Sequence, residues 1–239
     1  MKKLLSVAIA VMLIAAGIMT GCAGAGVEGT GNLVTEDYEL SDFKQVKADN
    51  GFYVEIIQGS SYSVEVTTDD NIREYLDVTK SGDTLTLKLK GSGISGSRTL
   101  KAKISMPDIE AVNLSGGSRA EVTGFDFQHE FSASLSGGSK LEGNINTGDI
   151  GFGISGGSNV VLKGSGGDLV IRSTSGSKAE LDSFSVGNAN VNIDGGGRAE
   201  LNVNGTLDTV LTGGSAIVYS GESELGNVDL SGGSSLNKK

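Results

Sequence analysis

The feature that most constrains this chain is a short motif that returns at a nearly constant interval. It reads Leu-Ser-Gly-Gly-Ser-Arg-Ala-Glu-Val over residues 114–122 and recurs with variation from Leu135, Ile154, Ser173, Ile193, Leu211 and Leu230. The successive intervals are 21, 19, 19, 20, 18 and 19 residues. A period of this size is typical of stacked repeats, because each unit buries its apolar face only against its neighbours. The repeat therefore predicts one elongated domain.

Aligned on the first residue of the motif, the repeats form columns of similar side chains. The first position and the position two residues before it are apolar, and the earlier column contains Val112, Phe152, Ile171, Val191 and Val228. Two more apolar columns follow six and eight residues after the first position, and they include Ala120, Val122, Val160, Leu162, Ala199 and Leu201. A spacing of two is the period of a β-strand, in which alternate side chains share a face. Each repeat is therefore predicted to be a short strand, a Ser-Gly-Gly-Ser corner and a second short strand.

These columns predict an all-β fold, a right-handed parallel β-helix (β-solenoid) with about 19–20 residues per coil. Coils stacked at the interstrand spacing of about 4.8 Å place equivalent residues above one another. The variable residues of each period, such as 123–132 and 182–190, are expected to form loops and a third short strand. An antiparallel β-sandwich or meander is the alternative, because it also uses short alternating strands.

Residues 34–106 precede the repeats and are rich in β-formers without showing the motif. Alternating or apolar stretches lie at 46–48, 53–57, 63–66, 84–89 and 100–106. We predict that this region forms irregular N-terminal coils that act as a cap, because the end of a stack must be protected from edge-to-edge pairing. Pro107, the only proline, marks the start of the repeat region over residues 107–239.

The N-terminal segment has the features of an export signal. Lys2 and Lys3 precede an apolar run over residues 4–19, which is short for a membrane span. Small residues then lead into Cys22, the only cysteine of the chain. A single cysteine cannot close an intrachain disulfide, and a free thiol on an exported protein is a liability. The arrangement is typical of a bacterial lipoprotein signal.

In such a protein the cysteine is acylated by fatty acids such as palmitate and becomes the first residue of the mature chain. We therefore predict a lipoprotein signal peptide over residues 1–21, lipidation at Cys22, and a lipidated flexible tether over residues 22–33. The head domain is predicted over residues 34–239. An ordinary secretory signal with an incidental thiol is the alternative.

Charge limits the partners of the exported chain. Removal of Lys2 and Lys3 with the signal leaves 17 basic and 29 acidic side chains, a formal charge of −12. Nucleic acid is excluded as a partner, because the sequence has no basic patch to release the counterions of a polyanion. The same charge repels anionic lipid headgroups, so the predicted membrane contact is through lipidated Cys22. A glycan or a cell-surface protein remains as the expected ligand.

Several polar columns in the repeats are candidates for catalytic or ligand-binding residues. Five and seven residues after the first motif position stand Arg119, Lys140, Lys178, Arg198, Glu121, Glu142, Glu180 and Glu200. We interpret them as a solvated face on which ladders of opposite charge neutralise each other. Corner hydroxyls form two more columns: Ser115, Ser136, Ser155, Thr174, Thr212, Ser231, and Ser118, Ser139, Ser158, Ser177, Ser215, Ser234. We interpret these as turn residues that bond to the backbone.

No catalytic, cofactor or metal site is predicted. A serine nucleophile needs a base, and His129, the only histidine, is expected at an ordinary surface position. The period is twice that of calcium-binding nonapeptide rolls, and only Asp194 falls in a corner. A zinc site would need a cluster of cysteine and histidine residues. The predicted site residue is therefore Cys22, for lipidation.

Three sequence features occur in the same order as in the members of a known family. They are Met-Pro-Asp-Ile-Glu-Ala-Val-Asn-Leu-Ser-Gly-Gly-Ser over residues 106–118, the repeated Ser-Gly-Gly-Ser corners, and Ile-Val-Tyr-Ser-Gly-Glu over residues 217–222. From about Tyr38 onward the chain resembles the bacterial family called putative auto-transporter adhesin, head GIN domain. The resemblance implies an all-β, solenoid-like exported protein, often lipid-anchored, with an adhesin role, and it supplies no catalytic residues.

Three hypotheses for function follow. The leading one is a non-catalytic, lipid-anchored β-solenoid of the bacterial cell envelope, in the outer membrane or at the cell surface, that presents a surface to a glycan, a protein or a neighbouring cell. The second is a carbohydrate-active lyase or glycosidase with its cleft in the variable arms at residues 125–131 or 182–190. The third is a structural spacer without a ligand.

Overall fold

A computed structural model describes residues 26–91 and 93–239. The predicted signal peptide and Cys22 lie outside the described residues. In chain order the strands are β1 (Leu33–Asp37), β2 (Gln45–Ala48), β3 (Tyr53–Gln58), β4 (Ser63–Asp69), β5 (Leu76–Ser81), β6 (Thr84–Leu89), β7 (Leu100–Met106), β8 (Ala111–Leu114), β9 (Arg119–Asp126), β10 (Phe131–Leu135), β11 (Lys140–Asn146), β12 (Ile150–Ile154), β13 (Asn159–Ser165), β14 (Leu169–Ser173), β15 (Lys178–Val186), β16 (Ala189–Ile193), β17 (Arg198–Val203), β18 (Thr206–Leu211), β19 (Ala216–Ser220), β20 (Glu224–Leu230) and β21 (Ser235–Lys238). A short 3₁₀ helix, η1 (Arg73–Tyr75), precedes β5.

The strands form two long sheets. The eleven-stranded sheet has the order β1-β4-β7-β3-β9-β11-β13-β15-β17-β19-β21, and the ten-stranded sheet has the order β20-β18-β16-β14-β12-β10-β8-β2-β6-β5. From β8 onward the chain alternates between the sheets, so each coil contributes one strand to each sheet. The result is a β-solenoid of about 7 turns, as the repeat predicted.

Side chains that point between the two sheets form one continuous hydrophobic core. Along β16, for example, Ala189, Val191 and Ile193 are buried while the residues between them are exposed. Burying one aliphatic side chain of this size contributes about 1.5–3 kcal/mol relative to leaving it in water. The period of two in the sequence therefore sets which face of each strand is inside.

The strand register confirms the predicted columns. In the ten-stranded sheet, parallel pairing aligns Leu114, Leu135, Ile154, Ser173, Ile193, Leu211 and Leu230. In the eleven-stranded sheet, parallel pairing aligns Ala120, Leu141, Val160, Ala179, Ala199 and Ile217. Because neighbouring coils pair in parallel throughout this region, the alternative of an antiparallel sandwich or meander is wrong for the repeats.

The expected third strand of each coil is absent from the described repeat region. Instead, the second strand of several coils is long, with eight residues in β9 and nine in β15. Ladder pairing continues along these strands through a shift of register, as between Leu181 and Ser185. A bulge of this kind bends a strand without ending it. One bent strand therefore covers the arm that was expected to hold a loop and a third strand.

The N-terminal coils are stacked in a different order from their order along the chain. Strand β2 lies between β6 and β8, and β3 lies between β7 and β9. The coil β2–β3 is thus inside the stack, although β6–β7 follows it in sequence. Beyond that outer coil, β4 and β5 pair antiparallel with β7 and β6, and β1 pairs antiparallel with β4. These antiparallel strands cap the stack as predicted, but the expected continuous winding begins only at β8.

A buried carboxylate attaches the first described residues to the cap. Asp69 is 2% exposed and accepts hydrogen bonds from the backbone N–H groups of Gly31 and Thr99, each at 2.7 Å. Hydrogen bonds to an ionised carboxylate are stronger than those between neutral groups. Val27 also pairs with Ile94 in an isolated bridge. This part of the segment predicted to be a tether is therefore held against the domain.

The Ser-Gly-Gly-Ser corners stack as closely as the strands do. In one corner both glycines have positive φ, 62° at Gly156 and 72° at Gly157, a region that glycine adopts without strain. A Cβ on Gly156 would lie 2.9 Å from the backbone nitrogen of Gly137 in the preceding coil, whereas a Cβ on Gly157 would meet nothing within 4 Å. The first glycine is therefore required by its dihedral angle and by close stacking, and the second by its dihedral angle alone.

Candidate functional site

An open groove of about 930 Å³ lies on the outer face of the ten-stranded sheet, beside the Ser-Gly-Gly-Ser corners. Strands β5, β6, β2, β8, β10, β12 and β14, together with the residues that follow several of them, supply its lining. One outward row crosses five of these strands and consists of Lys47, Asn113, Ser134, Gly153 and Arg172. We call these residues the cation row. Each precedes a core residue of its strand, so strand alternation turns it toward solvent.

A second row of groove residues directly follows the core residues. It consists of Ser115, Ser136, Ser155 and Thr174, and we call it the hydroxyl row. The Ser155 hydroxyl donates a hydrogen bond to the Leu135 carbonyl at 3.3 Å. Because these residues belong to successive coils, their hydroxyl groups repeat at about the interstrand spacing of 4.8 Å.

The second serine of each corner has a structural role. Ser158 is 1% exposed, and its hydroxyl donates to the Ser155 carbonyl at 2.7 Å and accepts from the Ser139 N–H at 3.1 Å. The same donation to the first corner carbonyl occurs at Ser139, Ser177, Ser215 and Ser234. The predicted bonding of corner hydroxyls to turn backbone is therefore confirmed for this column, whereas the hydroxyl row faces the groove.

The charged side chains that line the groove are two cations, Lys47 and Arg172. Both are exposed. Within the part of the chain that the structure describes, neither takes part in an ion pair. The groove therefore offers cationic donors alongside hydroxyl and amide groups.

The outer face of the eleven-stranded sheet carries the predicted charge ladders. Lys140 Nζ lies 2.6 Å from Glu142 Oε1, and Lys178 Nζ lies 3.0 Å from Glu180 Oε1. Arg119 approaches Glu142 from the neighbouring coil at 4.0 Å. The hydrogen bond from Lys178 helps to hold the pKa of the Glu180 carboxyl below its ordinary value. Three cations of the predicted ladders are thus matched by Glu142 and Glu180, whereas Arg198, Glu121 and Glu200 form no ion pair among the described residues.

His129 lies near the start of β10, away from the groove. Its Nδ1 is 2.9 Å from the Glu130 carbonyl oxygen, its Nε2 is 2.7 Å from Asp108 Oδ1, and its ring stacks on Phe127 with centroids 4.1 Å apart. Burial lowers the pKa of His129, but the bonds to the Glu130 carbonyl and to Asp108 outweigh it, so the pKa lies above its ordinary value. Because both ring nitrogens face acceptors, only the imidazolium donates to both.

The arms proposed for an enzyme cleft contribute side chains to the core, and His129 and Glu130 of the first arm line a separate, smaller pocket. Phe125, Phe131 and Phe184 from these arms are buried, and the groove takes no lining residue from 125–131 or 182–190. Over residues 26–91 and 93–239, no three or more His, Cys, Asp and Glu side chains are grouped so that they could hold a metal ion. No helix in this described part has the length and apolar character needed to cross a membrane.

A family model described as putative auto-transporter adhesin, head GIN domain, matches residues 42–223. The chain belongs to this family. The match extends from the coil β2–β3 through β19, so the family region contains the whole cation row and the whole hydroxyl row. The resemblance inferred from the repeated corners is therefore confirmed. Membership of an adhesin family indicates a protein of the cell surface or envelope.

Solved structures share this fold. A putative adhesin from Bacteroides fragilis superimposes with a TM-score of 0.75 at 17% identity, covering 90% of this chain and 96% of its own. A putative adhesin from Parabacteroides merdae gives 0.67 at 18%, covering 89% and 98%, and a putative lipid binding protein from Parabacteroides distasonis gives 0.69 at 18%, covering 89% and 99%. No curated protein matches the chain. At these identities the likeness shows the fold alone.

Sequence reasoning missed the cation row, although most of it carries a signal. The position just before the first motif residue contains Asn113, Ser134, Gly153 and Arg172, and strand alternation turns this column outward. Lys47 has no such signal. Its coil lacks the motif, and only the structure places that coil next to β8.

Proposed function

We propose that this protein is a non-catalytic, lipid-anchored protein of the bacterial envelope that uses the groove to bind a glycan, as an adhesin does. The observation that carries the proposal is the pair of polar rows that cross the outer face of the ten-stranded sheet. Hydroxyl and amide side chains such as those of Ser136, Ser134 and Asn113 both donate and accept hydrogen bonds, which suits the hydroxyl groups of sugars.

The groove suits an extended polymer better than a small enclosed ligand. It is open, and its hydroxyl groups repeat from coil to coil at about 4.8 Å. A polysaccharide also presents hydroxyl groups at a regular interval, so one pattern of contacts repeats along the stack. The strands that carry the rows are hydrogen-bonded on both sides, as β10 is to β8 and β12. Binding to such a rigid surface loses little conformational entropy on the protein side.

Catalysis is disfavoured by what surrounds the hydroxyl row. A serine nucleophile needs a general base within hydrogen-bond reach. His129 bonds to Asp108 and to the Glu130 carbonyl and lines a separate pocket. Glycoside hydrolysis commonly needs two carboxylates that flank the scissile bond, whereas the charged residues of the groove lining are cations. These features support binding over a lyase or glycosidase activity.

Lipid anchoring at Cys22 is supported by the sequence, and the position of the first described residues indicates which end of the solenoid such an anchor would attach. Each buried methylene of an acyl chain contributes about 0.8 kcal/mol, so two or three chains give firm attachment. Residues 26–33 lie against the N-terminal cap. An anchor at Cys22 would therefore attach the capped end of the solenoid to the membrane and leave the later coils pointing away from it.

Filling the groove tests the binding proposal. Gly153 and Gly151 both face outward on β12, but Gly153 lines the groove and Gly151 does not. A Cβ at either site has no contact closer than 3.7 Å, so the strand accepts a side chain at both. We expect Gly153→Tyr to abolish binding of the full-length protein to its glycan on an array, and Gly151→Tyr to retain it. Equal binding by both variants would contradict a ligand in the groove.

Removing the thiol tests the anchor. Cys22→Ala is expected to abolish both incorporation of radiolabelled palmitate and retention in the membrane fraction, without changing the thermal unfolding of the domain. Label incorporated into this variant would show that the acyl chain is attached elsewhere and would contradict lipidation at Cys22.

A further inference from the structure

Two cations stand at defined positions in the groove. Lys47 and Arg172 occupy the same outward row, separated by Asn113, Ser134 and Gly153. Four strand spacings, about 19 Å, therefore separate their positions along the stack. The residues between them are uncharged and small or polar, so the floor of the groove between the two cations is open to hydrogen bonding.

The charge of the groove differs from that of the whole chain. The chain has a formal charge of −10, yet no aspartate or glutamate lines the groove. Elsewhere on the described surface, cations such as Lys140 and Lys178 are paired with carboxylates of their own sheet. Lys47 and Arg172 form no ion pair among the described residues. Lys47 and Arg172 are thus the charged side chains of a groove whose lining contains no carboxylate.

Two carboxylates adjoin the ends of the hydroxyl row. Asp49 precedes Ser115 in this row and accepts a hydrogen bond from the Asn50 N–H at 2.7 Å. Asp194 follows Thr174 and accepts one from the Thr212 hydroxyl at 2.5 Å. Asp49 is engaged within its own corner, and Asp194 is engaged by the corner of the next coil. Neither carboxylate lines the groove, and among the described residues neither forms an ion pair with Lys47 or Arg172.

We infer that the groove is specific for acidic glycans, with carboxylates of uronic acid units bound by Arg172 and Lys47 and the neutral units between them bound by the hydroxyl row. This inference rests on the proposed glycan-binding function. The Arg172 guanidinium offers parallel N–H donors that match a carboxylate, and Lys47 offers a compact positive charge. The separation of about 19 Å requires an oligomer long enough to reach both cations at once.

Ligand chemistry is the first arm of the test. Full-length protein in detergent is titrated with polygalacturonate, with the same polymer fully methyl-esterified, and with a neutral glucan. We expect polygalacturonate to bind about tenfold more tightly than its ester, because a charged hydrogen bond contributes about 1.5 kcal/mol or more. The preference should shrink as salt is raised from 0.01 to 0.15 M, because screening shortens the range of the attraction.

Matched variants are the second arm. Lys47→Gln with Arg172→Gln removes two cations from the groove, and Lys178→Gln with Arg198→Gln removes two neighbouring cations from the opposite sheet. We expect the first pair to reduce affinity for polygalacturonate about tenfold and to leave affinity for the methyl ester unchanged. The second pair should leave both affinities within about twofold, since its positions lie on the opposite sheet and salt screens their attraction for a ligand in the groove. Thermal unfolding of each variant verifies that it is folded.

The outcomes separate this inference from the proposed function. Equal affinity for the acid and its ester overturns the inference and leaves glycan binding standing. Absence of binding to every glycan, with Gly153→Tyr indistinguishable from the parent, overturns both. Binding to phosphatidylglycerol vesicles that depends on Lys47 and Arg172, without binding to polygalacturonate, overturns the inference in favour of a lipid headgroup. Loss of affinity in the groove variants alone supports it.

Discussion

The two outer faces of the solenoid use the same repeat in different ways. On the eleven-stranded sheet, Lys140 pairs with Glu142 and Lys178 with Glu180 along their strands, and Arg119 approaches Glu142 from the neighbouring strand. On the ten-stranded sheet, the equivalent outward positions hold hydroxyl, amide and glycine residues with an unpaired cation at each end of the row. Strand spacing and register are alike on both faces, so the difference is one of side-chain choice. A face that neutralises its own charge is structural, and a face with free donors is available to a ligand.

The corners join the strands of the two sheets, so a substitution in a corner is expected to destabilise both sheets. Gly156→Ala should lower the free energy of unfolding by about 3 kcal/mol, because the left-handed dihedral costs about 1–2 kcal/mol and the crowding against Gly137 adds about 1–3 kcal/mol. Gly157→Ala, with open space around its Cβ, should cost about 1 kcal/mol. Urea unfolding of the two variants measures the difference. Equal costs would mean that the coils are not stacked as closely as described.

The two serines of one corner offer a sharper comparison. Ser158→Ala leaves the buried Ser139 N–H without its partner, removes one of the two hydrogen bonds to the Ser155 carbonyl, and should cost about 2 kcal/mol. Ser136→Ala removes an exposed hydroxyl of the groove and should change stability by less than about 0.5 kcal/mol while weakening glycan binding. Parallel measurements of urea unfolding and array binding separate the two roles. A stability loss in Ser136→Ala equal to that in Ser158→Ala would contradict the separate roles of the two serines.

The fold of the repeat region was largely predictable because the apolar columns of the sequence determine its strand register. A column such as Leu114, Leu135 and Ile154 has one alignment in which every member is apolar, and parallel pairing then follows from a constant period. The prediction of a third strand in each coil was wrong. The residues at a bulge, as between Leu181 and Ser185, have no distinctive composition, so the sequence did not show that one strand continues through it.

The N-terminal order was not predictable for a different reason. The strands β2, β3, β6 and β7 each read as short apolar segments that could pair with any other. Their order in the stack depends on long-range packing of the core and not on local pattern. For this reason Lys47 could not be assigned to the groove from the sequence, whereas Arg172, inside the repeat, could have been.

The charged ladder provides the next comparison, with a smaller effect. Glu142→Gln removes a carboxylate that contacts Lys140 at 2.6 Å and Arg119 at 4.0 Å and should cost less than about 1 kcal/mol, because these side chains are exposed. Glu200→Gln removes a carboxylate of the same column that has no ion pair among the described residues, and it should cost less. The difference should vanish in 1 M salt. Neither change should alter glycan binding. A loss of binding in Glu142→Gln would place the ligand on the eleven-stranded sheet and contradict binding in the groove.

The smallest expected effect concerns an ion-paired cluster near the start of β10. Lys44 contacts Glu110 at 2.7 Å and Asp108 at 3.7 Å, and Asp108 also contacts His129. Hydrogen bonds to the Glu130 carbonyl and to Asp108 more than offset burial and raise the pKa of His129 above its ordinary value. The contribution of this pair to stability is therefore complete below about pH 6.5 and is lost as the pH rises through the raised pKa.

Asp108→Asn should lower the pKa of His129, which can be followed by NMR titration because the chain has one histidine. The stability difference between the parent and this variant should be larger at pH 5.5 than at pH 8, and well under about 1 kcal/mol because the side chains are exposed and screened. Glu130→Gln is the matched control, since its backbone and not its carboxylate contacts the imidazole. An unchanged His129 titration in Asp108→Asn would mean that the carbonyl alone sets the pKa, and the ion pairs of this cluster would then be limited to Lys44 and its two carboxylates.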